Sequence, residues 1–442
     1  MLRISKVIRN ILTGLPRTLL RDLLARKIRD AGAKLPIKAI NAFADHILAD
    51  AKHDFQWDDG QKDKKNIEIS FTEEDLDEIK SVIQRVIEKT PDITLKAVKK
   101  TSSHLFQQIS DEWIAGELIR QAEIEDFRAR IEDLWGEGLS YLRLLHICCQ
   151  EYGEETWWKN KRSKSQTHKF RHSVLGRLHA RGCQVTGEII CLLENGFADG
   201  AMARWRTLNE ILVVAILISS NDEELAERYL LHDAIEEKQQ IEKYQLIEVP
   251  VGAKPLPKRM RQKVDRKYKA VLKRFGPEFA QQFGWASKHL KQQLGHKKPT
   301  FKDLQAAAGR SNFGSHYKIA SFSVHAGARS LFFNYSSMMY EGVVMAGRSN
   351  AGLSEPAEIT AQSLLHLTSL HAGEENSLDR IIERNIKIES LLKIKDKMSS
   401  CLSDTDQNLT RSEVNRRRKL AERRSKRVAR RSKIITDNKA KI

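Results

Sequence analysis

The chain has 442 residues, 40% of them apolar, and a net charge of +18. That length predicts two to three domains and a sizeable buried core. Only nine prolines and 23 glycines punctuate it, and no stretch alternates apolar with polar residues in the manner of a strand. The expected class is therefore all-α: a multi-helix bundle core with an N-terminal helical region and a basic C-terminal tail.

The composition also excludes several chemistries. Five cysteines (Cys148, Cys149, Cys183, Cys191 and Cys401) are odd in number and contain no C-x-x-C. A disulfide framework and a zinc site are both unexpected, and a reducing, cytoplasmic setting fits. The longest apolar run, Ile211–Ile218, is too short to span a bilayer. No P-loop, G-x-G-x-x-G, G-x-S-x-G or H-E-x-x-H is present, so no nucleotide-motor, Rossmann, α/β-hydrolase or zincin reading is supported and no cofactor is expected.

In chain order, residues 1–58 read as two or three short helices broken at Pro16 and Pro36. Met1 to Arg21 holds no acidic residue, and Leu2, Ile4, Val7, Ile8, Ile11 and Leu12 recur at helical spacing. A bundle helix, a surface-seeking helix and a targeting segment all share that pattern. Residues 56–68 read as a linker. T-E-E-D at Thr72–Asp75 approximates a capping box opening a helix to about Lys89, with Pro91 as its stop. A helical region at 69–152 carries an apolar stripe of Leu134, Leu139, Leu142, Leu145 and Cys149. Residues 153–168 break the pattern, and the Trp157–Trp158 pair there could pack a helix end or stack on a partner.

A helical core domain is expected over 165–400. It begins with two long helices from His172 to about Lys243, broken around Glu194–Asp199. A Pro/Gly loop at 249–258 follows, then a basic helix at 258–275 stopped by Gly276 and Pro277. Further helices are expected from Tyr317 to about Tyr340 and over about 357–398. Residues 402–412 read as a loop leading into the tail. Residues 410–442 hold 14 Lys/Arg against three Asp/Glu, a net +11, leaving +7 on the other 409 residues. Arg416, Arg417, Arg418, Lys419, Arg423, Arg424, Arg427, Arg430 and Arg431 are the candidate contacts to nonspecific nucleic acid. Such binding would be salt-sensitive and sequence-tolerant, because the segment lacks aromatics for stacking.

Two polar constellations interrupt apolar helices. Arg206 and Glu210 are four apart, just before the run I-L-V-V-A-I-L-I. Charges there need partners, either an internal ion pair or the wall of a polar pocket. Tyr317, Ser321 and His325 are also spaced by four, with Ile319, Ala320, Phe322 and Val324 on the other faces. His325 has the chemistry of a general acid or base. Two such stripes in one domain could share a pocket, with Arg206 holding an anion, Glu210 orienting it and His325 moving a proton.

The run GRLHARGCQVTGEIICLLENGFADGAMARWRTLNEILVVAILI, then RYLLHD, FGWASKHL and YKIASFSVHAG, resembles the bacterial family catalogued as domain of unknown function five-six-seven-seven, over about residues 170–345. The resemblance implies an all-helical domain and no established activity. Its matching positions are Arg204, Arg206, Glu210, His232, Trp285, Tyr317, Ser321 and His325. Arg204, Arg206, Ser321 and His232 are the candidate ligand-binding residues, and His325, Tyr317 and Glu210 the candidate catalytic ones. The spacings Arg162–His168 and Arg310–His316 are also similar to the signature of helical HEPN ribonucleases, although Gly314 predicts a loop inside the second. Two readings remain. One is a nucleic-acid-associated stress or phage-defence factor whose pocket binds or cleaves a phosphate-bearing ligand. The other is a non-catalytic helical scaffold, oligomerising through its helices, in which the same cluster is structural.

Overall fold

The computed structural model describes residues 2–50, 53–58, 66–162, 168–247, 255–295, 298–337, 344–373 and 377–439. Among them are thirteen α-helices and no strand. They are α1 (Leu2–Asp30), α2 (Ile37–Leu48), α3 (Glu73–Arg162), α4 (Lys169–Glu194), α5 (Ala198–Ser220), α6 (Glu223–Leu231), α7 (Asp233–Ile247), α8 (Lys258–Phe275), α9 (Ser287–Leu294), α10 (Phe301–Ala307), α11 (Gly314–Phe322), α12 (Ser354–Ala372) and α13 (Leu378–Lys439). No described helix is long and apolar enough to cross a membrane.

The chain divides into two compact units, Met1–Arg120 and Gln121–Ile442. In the first, Leu24 and Ile28 of α1 meet Ile40 and Ala44 of α2 in a small core. Ion pairs flank it: Arg17 with Asp45 at 2.5 Å, and Lys27 with Asp75 at 2.5 Å. Asp75 also accepts the Thr72 N–H at 2.8 Å, so the expected capping box forms. The Lys27 ammonium and the Thr72 bonds hold the Asp75 carboxyl down at about 2.

Neither Pro16 nor Pro91 ends a helix: both lie inside, in α1 and α3. A proline removes one rung of the ladder, and a long helix continues past it when the neighbouring rungs hold. Pro36 does precede α2. The side chains of the N-terminal stripe Leu2–Leu12 lie outside the described residues, as do 59–65 of the linker. The break expected at 153–168 does not begin at Gly153: α3 continues to Arg162, with Gly153 and Thr156 buried on its inner face, and 163–167 lie outside the described residues.

The second unit buries its core between the C-terminal part of α3 and α4, α5 and α12. On α3 the inward stripe is Ile131, Trp135, Leu139, Leu142, Leu145 and Cys149, whereas Leu134 is 39% exposed. Leu134 adjoins Trp135 and sits about 100° off the stripe, so its place in the expected pattern was a phase error. Trp205 of α5 is fully buried and donates its indole N–H to Ile359 O at 3.2 Å and Ser363 Oγ at 3.1 Å on α12.

The break after α4 falls where the sequence places it. Gly196 has φ of +74°, its N–H bonds Leu193 O, and the Phe197 N–H bonds Leu192 O, each at 2.9 Å. This Schellman arrangement needs the left-handed residue. A side chain there would also strike Phe127 and the Ser349 carbonyl at 2.7 Å. Asp222 then caps α6 by accepting the Leu225 N–H at 3.0 Å.

Four later expectations change. The second long helix expected to run to about Lys243 divides into α5, α6 and α7, with Asp222 capping a new helix at Glu223. The helix expected over Tyr317–Tyr340 is α11, which stops at Phe322 and gives way to short 3-10 turns at Ala328–Leu331 and Tyr335–Ser337. The Asp199 carboxylate accepts the N–H groups of Tyr335 (2.8 Å) and Ser336 (3.1 Å), which draws this chain onto the start of α5. The helix expected over 357–398 is interrupted at Gly373, which has φ of +70°. Residues 402–412 are helical within α13, because Leu402 is a core residue packed against Gly138.

Candidate functional site

Helix α5 presents Arg206 and Glu210 on one side, and α11 brings Tyr317 to them. Glu210 Oε1 accepts from Arg206 Nε at 3.2 Å and from the Tyr317 hydroxyl at 2.6 Å. The guanidinium lies 4.6 Å over the Tyr317 ring, and that ring stacks on Phe301 of α10 at 5.1 Å. His325 lies three residues beyond α11 and keeps its register through an N–H bond to Ser321 O at 3.0 Å. Its Nε2 is 3.2 Å from Arg206 Nη1. The four side chains named from spacing alone thus form one connected cluster.

Protonation follows from donor and acceptor inventory. Guanidinium only donates, so His325 Nε2 accepts and Nδ1 carries the proton of the neutral ring. Burial, then the neighbouring Glu210 carboxylate, pushes the Tyr317 phenol up to about 12. Tyr317 is therefore a donor near neutral pH. Beyond these contacts and the Tyr317 oxygen, which also feels the guanidinium, no hydrogen bond engages Arg206 Nη2 or Glu210 Oε2 among the described residues. The cluster is half-buried, and His325 is exposed. His325 also walls an open cleft of about 540 Å³ against the start of α5, with Asp199, Phe322 and Phe333.

The other candidate residues go elsewhere. Arg204 turns to α4 and pairs with Glu188. Ser321 returns its hydroxyl to Tyr317 O at 2.8 Å. His232 is buried, donates Nε2–H to Gln281 O at 2.9 Å and packs on Phe279. Trp285 is buried against Tyr229, and its carbonyl accepts from Arg228. Of the second Arg–His spacing, Arg310 is buried against Asn209 at 3.2 Å, and burial lowers it to about 10. His316 sits 3.6 Å from Glu355. Gly314 opens α11 rather than a loop. Within the first spacing, residues 163–167 lie outside the described residues.

The basic helix α8 buries Val264 and Val271. Its Lys267 and Arg274 pair with Glu237 (2.8 Å) and Glu227 (2.6 Å). In the tail, Arg416 and Arg417 share Glu413, which they hold down at about 2, while Arg418 and Lys419 are exposed. The backbone stays helical to Lys439. The side chains of Arg423, Arg424, Arg427, Arg430 and Arg431 lie outside the described residues. Among the described residues no group of three or more His, Cys, Asp or Glu could hold a metal ion.

Sequence reasoning missed Asp199 and Phe301, which shape the surroundings of the cluster. Neither lies in a helical polar stripe, so spacing carries no signal for them.

The class defined here is an all-helical domain with a charged cluster at its solvent edge. Residues 172–338 match the Family of unknown function (DUF5677), within the span of about 170–345 expected from the sequence. No curated protein and no solved structure matches the chain.

Proposed function

We propose that the Arg206–Glu210–Tyr317–His325 cluster binds a phosphate-bearing ligand, nucleic acid in the first instance, and that His325 transfers a proton there. One observation carries this reading: an incompletely paired guanidinium lies 3.2 Å from an exposed imidazole beside an open cleft. Glu210 and the stacked Tyr317 fix the guanidinium plane, and Nη2 is left to meet a phosphate oxygen. An arriving oxyanion competes with His325 Nε2 for Nη1. The lone pair it releases then stands next to the bound phosphate. In RNA cleavage that lone pair would take the proton of the attacking 2′-hydroxyl, and the departing oxygen would take one from solvent.

The basic segment 410–442 supplies long-range, nonspecific attraction to the same polyanion. A stress or phage-defence setting fits such a pairing of tail and site.

The test uses the full chain with short RNA and single-stranded DNA. Wild type is expected to bind both and to cleave the RNA. His325→Ala should bind without cleaving, and Arg206→Gln should lose site binding. In bacteria, wild type and His325→Ala should differ in growth or RNA integrity. If His325→Ala folds and keeps every activity and phenotype of wild type, the cluster is a structural network and the scaffold reading stands. Truncation after Ser412 should abolish the salt-dependent part of binding, and unchanged binding would remove the tail from the account.

A further inference from the structure

A second cavity, of about 580 Å³, opens between the C-terminal part of α3 and α4. That size lies within the roughly 300–1,000 Å³ of small-molecule pockets. Its floor is His179, which is only 3% exposed, and its rim includes Trp157, Trp158 and Arg177. Glycines let the lining rings pack close against the helix backbones. A side chain on Gly153 would lie 2.3 Å from His179 Nδ1, and one on Gly176 would lie 2.3 Å from the Trp157 ring. The imidazole edge and the indole face thus occupy space that any other residue would close.

The floor has a defined hydrogen-bonding sense. Thr368 Oγ1 donates its one proton to Leu364 O at 2.9 Å, so it can only accept from His179 Nε2 at 3.0 Å. Nδ1 is therefore an acceptor, and its neighbour is the weakly donating Cys183 Sγ at 3.8 Å. His179 stacks on His371 at 5.0 Å, whose Nε2 donates to Gly153 O at 3.1 Å. Burial pushes His179 down to about 3 and His371 to about 4, which keeps both rings neutral near pH 7. At the rim Trp158 is 43% exposed, and Lys161 stands 4.8 Å over its ring. Arg177 is exposed and has no ion pair among the described residues.

We infer that this groove binds a nucleoside monophosphate, with the base stacked on the Trp157–Trp158 indoles, its edge N–H donated to His179 Nδ1, and its phosphate held by Arg177. The indoles supply flat π-faces that suit any base. A buried acceptor selects a ring bearing an N–H, and an unpaired guanidinium at the mouth selects an anion attached to it. The site is separate from the Arg206 cluster and does not depend on the reading given to that cluster.

The test titrates AMP, GMP, CMP and UMP into the full chain, read by calorimetry and tryptophan fluorescence. At least one should bind saturably, one per chain, with quenching. Trp157→Ala should weaken it roughly tenfold or more. Trp158→Ala serves as a second variant, because its ring is exposed and its loss leaves folding intact. Arg177→Ala should weaken the nucleotide roughly tenfold and leave the matching nucleoside unchanged. Absence of saturable binding by all four nucleotides to folded wild type would overturn the inference. So would unchanged affinity in both Arg177→Ala and Trp158→Ala.

Discussion

Two polar groups in the second unit draw on the same residue types and end in opposite states. Arg228 and His232 sit between α6 and the turn before α9. Arg228 is 4% exposed and gives its guanidinium to Trp285 O at 2.9 Å and Gly284 O at 3.0 Å, with no acid in direct contact. His232 gives Nε2–H to another carbonyl, that of Gln281. These are backbone ends satisfied by side chains, and the pairing is closed. Arg206 and His325 also form an Arg–His group, but they bond to each other, and the exposed imidazole lines an open cleft. A closed group fixes where chain segments lie, whereas an open one leaves capacity for a ligand.

The contrast breaks down if the two groups respond alike to substitution. The largest effect is expected at Arg228. Arg228→Met strands two buried carbonyls and should cost about 3 kcal/mol in urea unfolding. A cost like that of an exposed residue would mean the group is not closed. His232→Ala should follow at about 2 kcal/mol by the same measurement, since it loses a carbonyl bond and the Phe279 contact.

Tyr317 reports the open cluster through pH. Its native phenol titrates near 12, against an ordinary 10.0. The native state therefore keeps a proton that the unfolded chain releases. Any stability drawn from this group is complete below pH 10 and is lost as pH rises toward 12. Ultraviolet titration of wild type against Tyr317→Phe isolates the group among the eight tyrosines. Glu210→Gln should move its titration down, and an unmoved midpoint would contradict the 2.6 Å contact.

The smallest stability effects belong to Arg206→Gln and His325→Ala, each within about 0.5 kcal/mol of wild type, because their pairs are solvent-edged. Losses as large as that at Arg228 would make the cluster structural and favour the scaffold reading.

Much of this was legible in the sequence, for reasons that differ by residue. The Thr72–Asp75 box, Gly196 after α4, and Gly276–Pro277 after α8 are local signals, and the backbone obeys them. Pro16 and Pro91 are local signals too, but each removes only one rung from helices of 29 and 90 residues, and continuity wins. The end of α11 was hidden because the chain after it is held by a tertiary partner, Asp199 gripping Tyr335 and Ser336, whereas α12 stops at the local glycine Gly373. The meeting of Arg206, Glu210, Tyr317 and His325 was readable because two four-residue polar stripes on apolar helices each need partners. Arg204 and His232 share the same kind of neighbourhood in sequence, and spacing cannot show that one turns to Glu188 and the other to a carbonyl.

The most direct measurement is calorimetric binding of an RNA dinucleotide, too short to engage the tail and the cluster together, to wild type and to Arg206→Gln at equal ionic strength. The account predicts saturable binding to wild type and an affinity roughly tenfold or more lower in the variant, in a chain of unchanged stability. Equal affinity in the two proteins, or no binding to wild type, would contradict it.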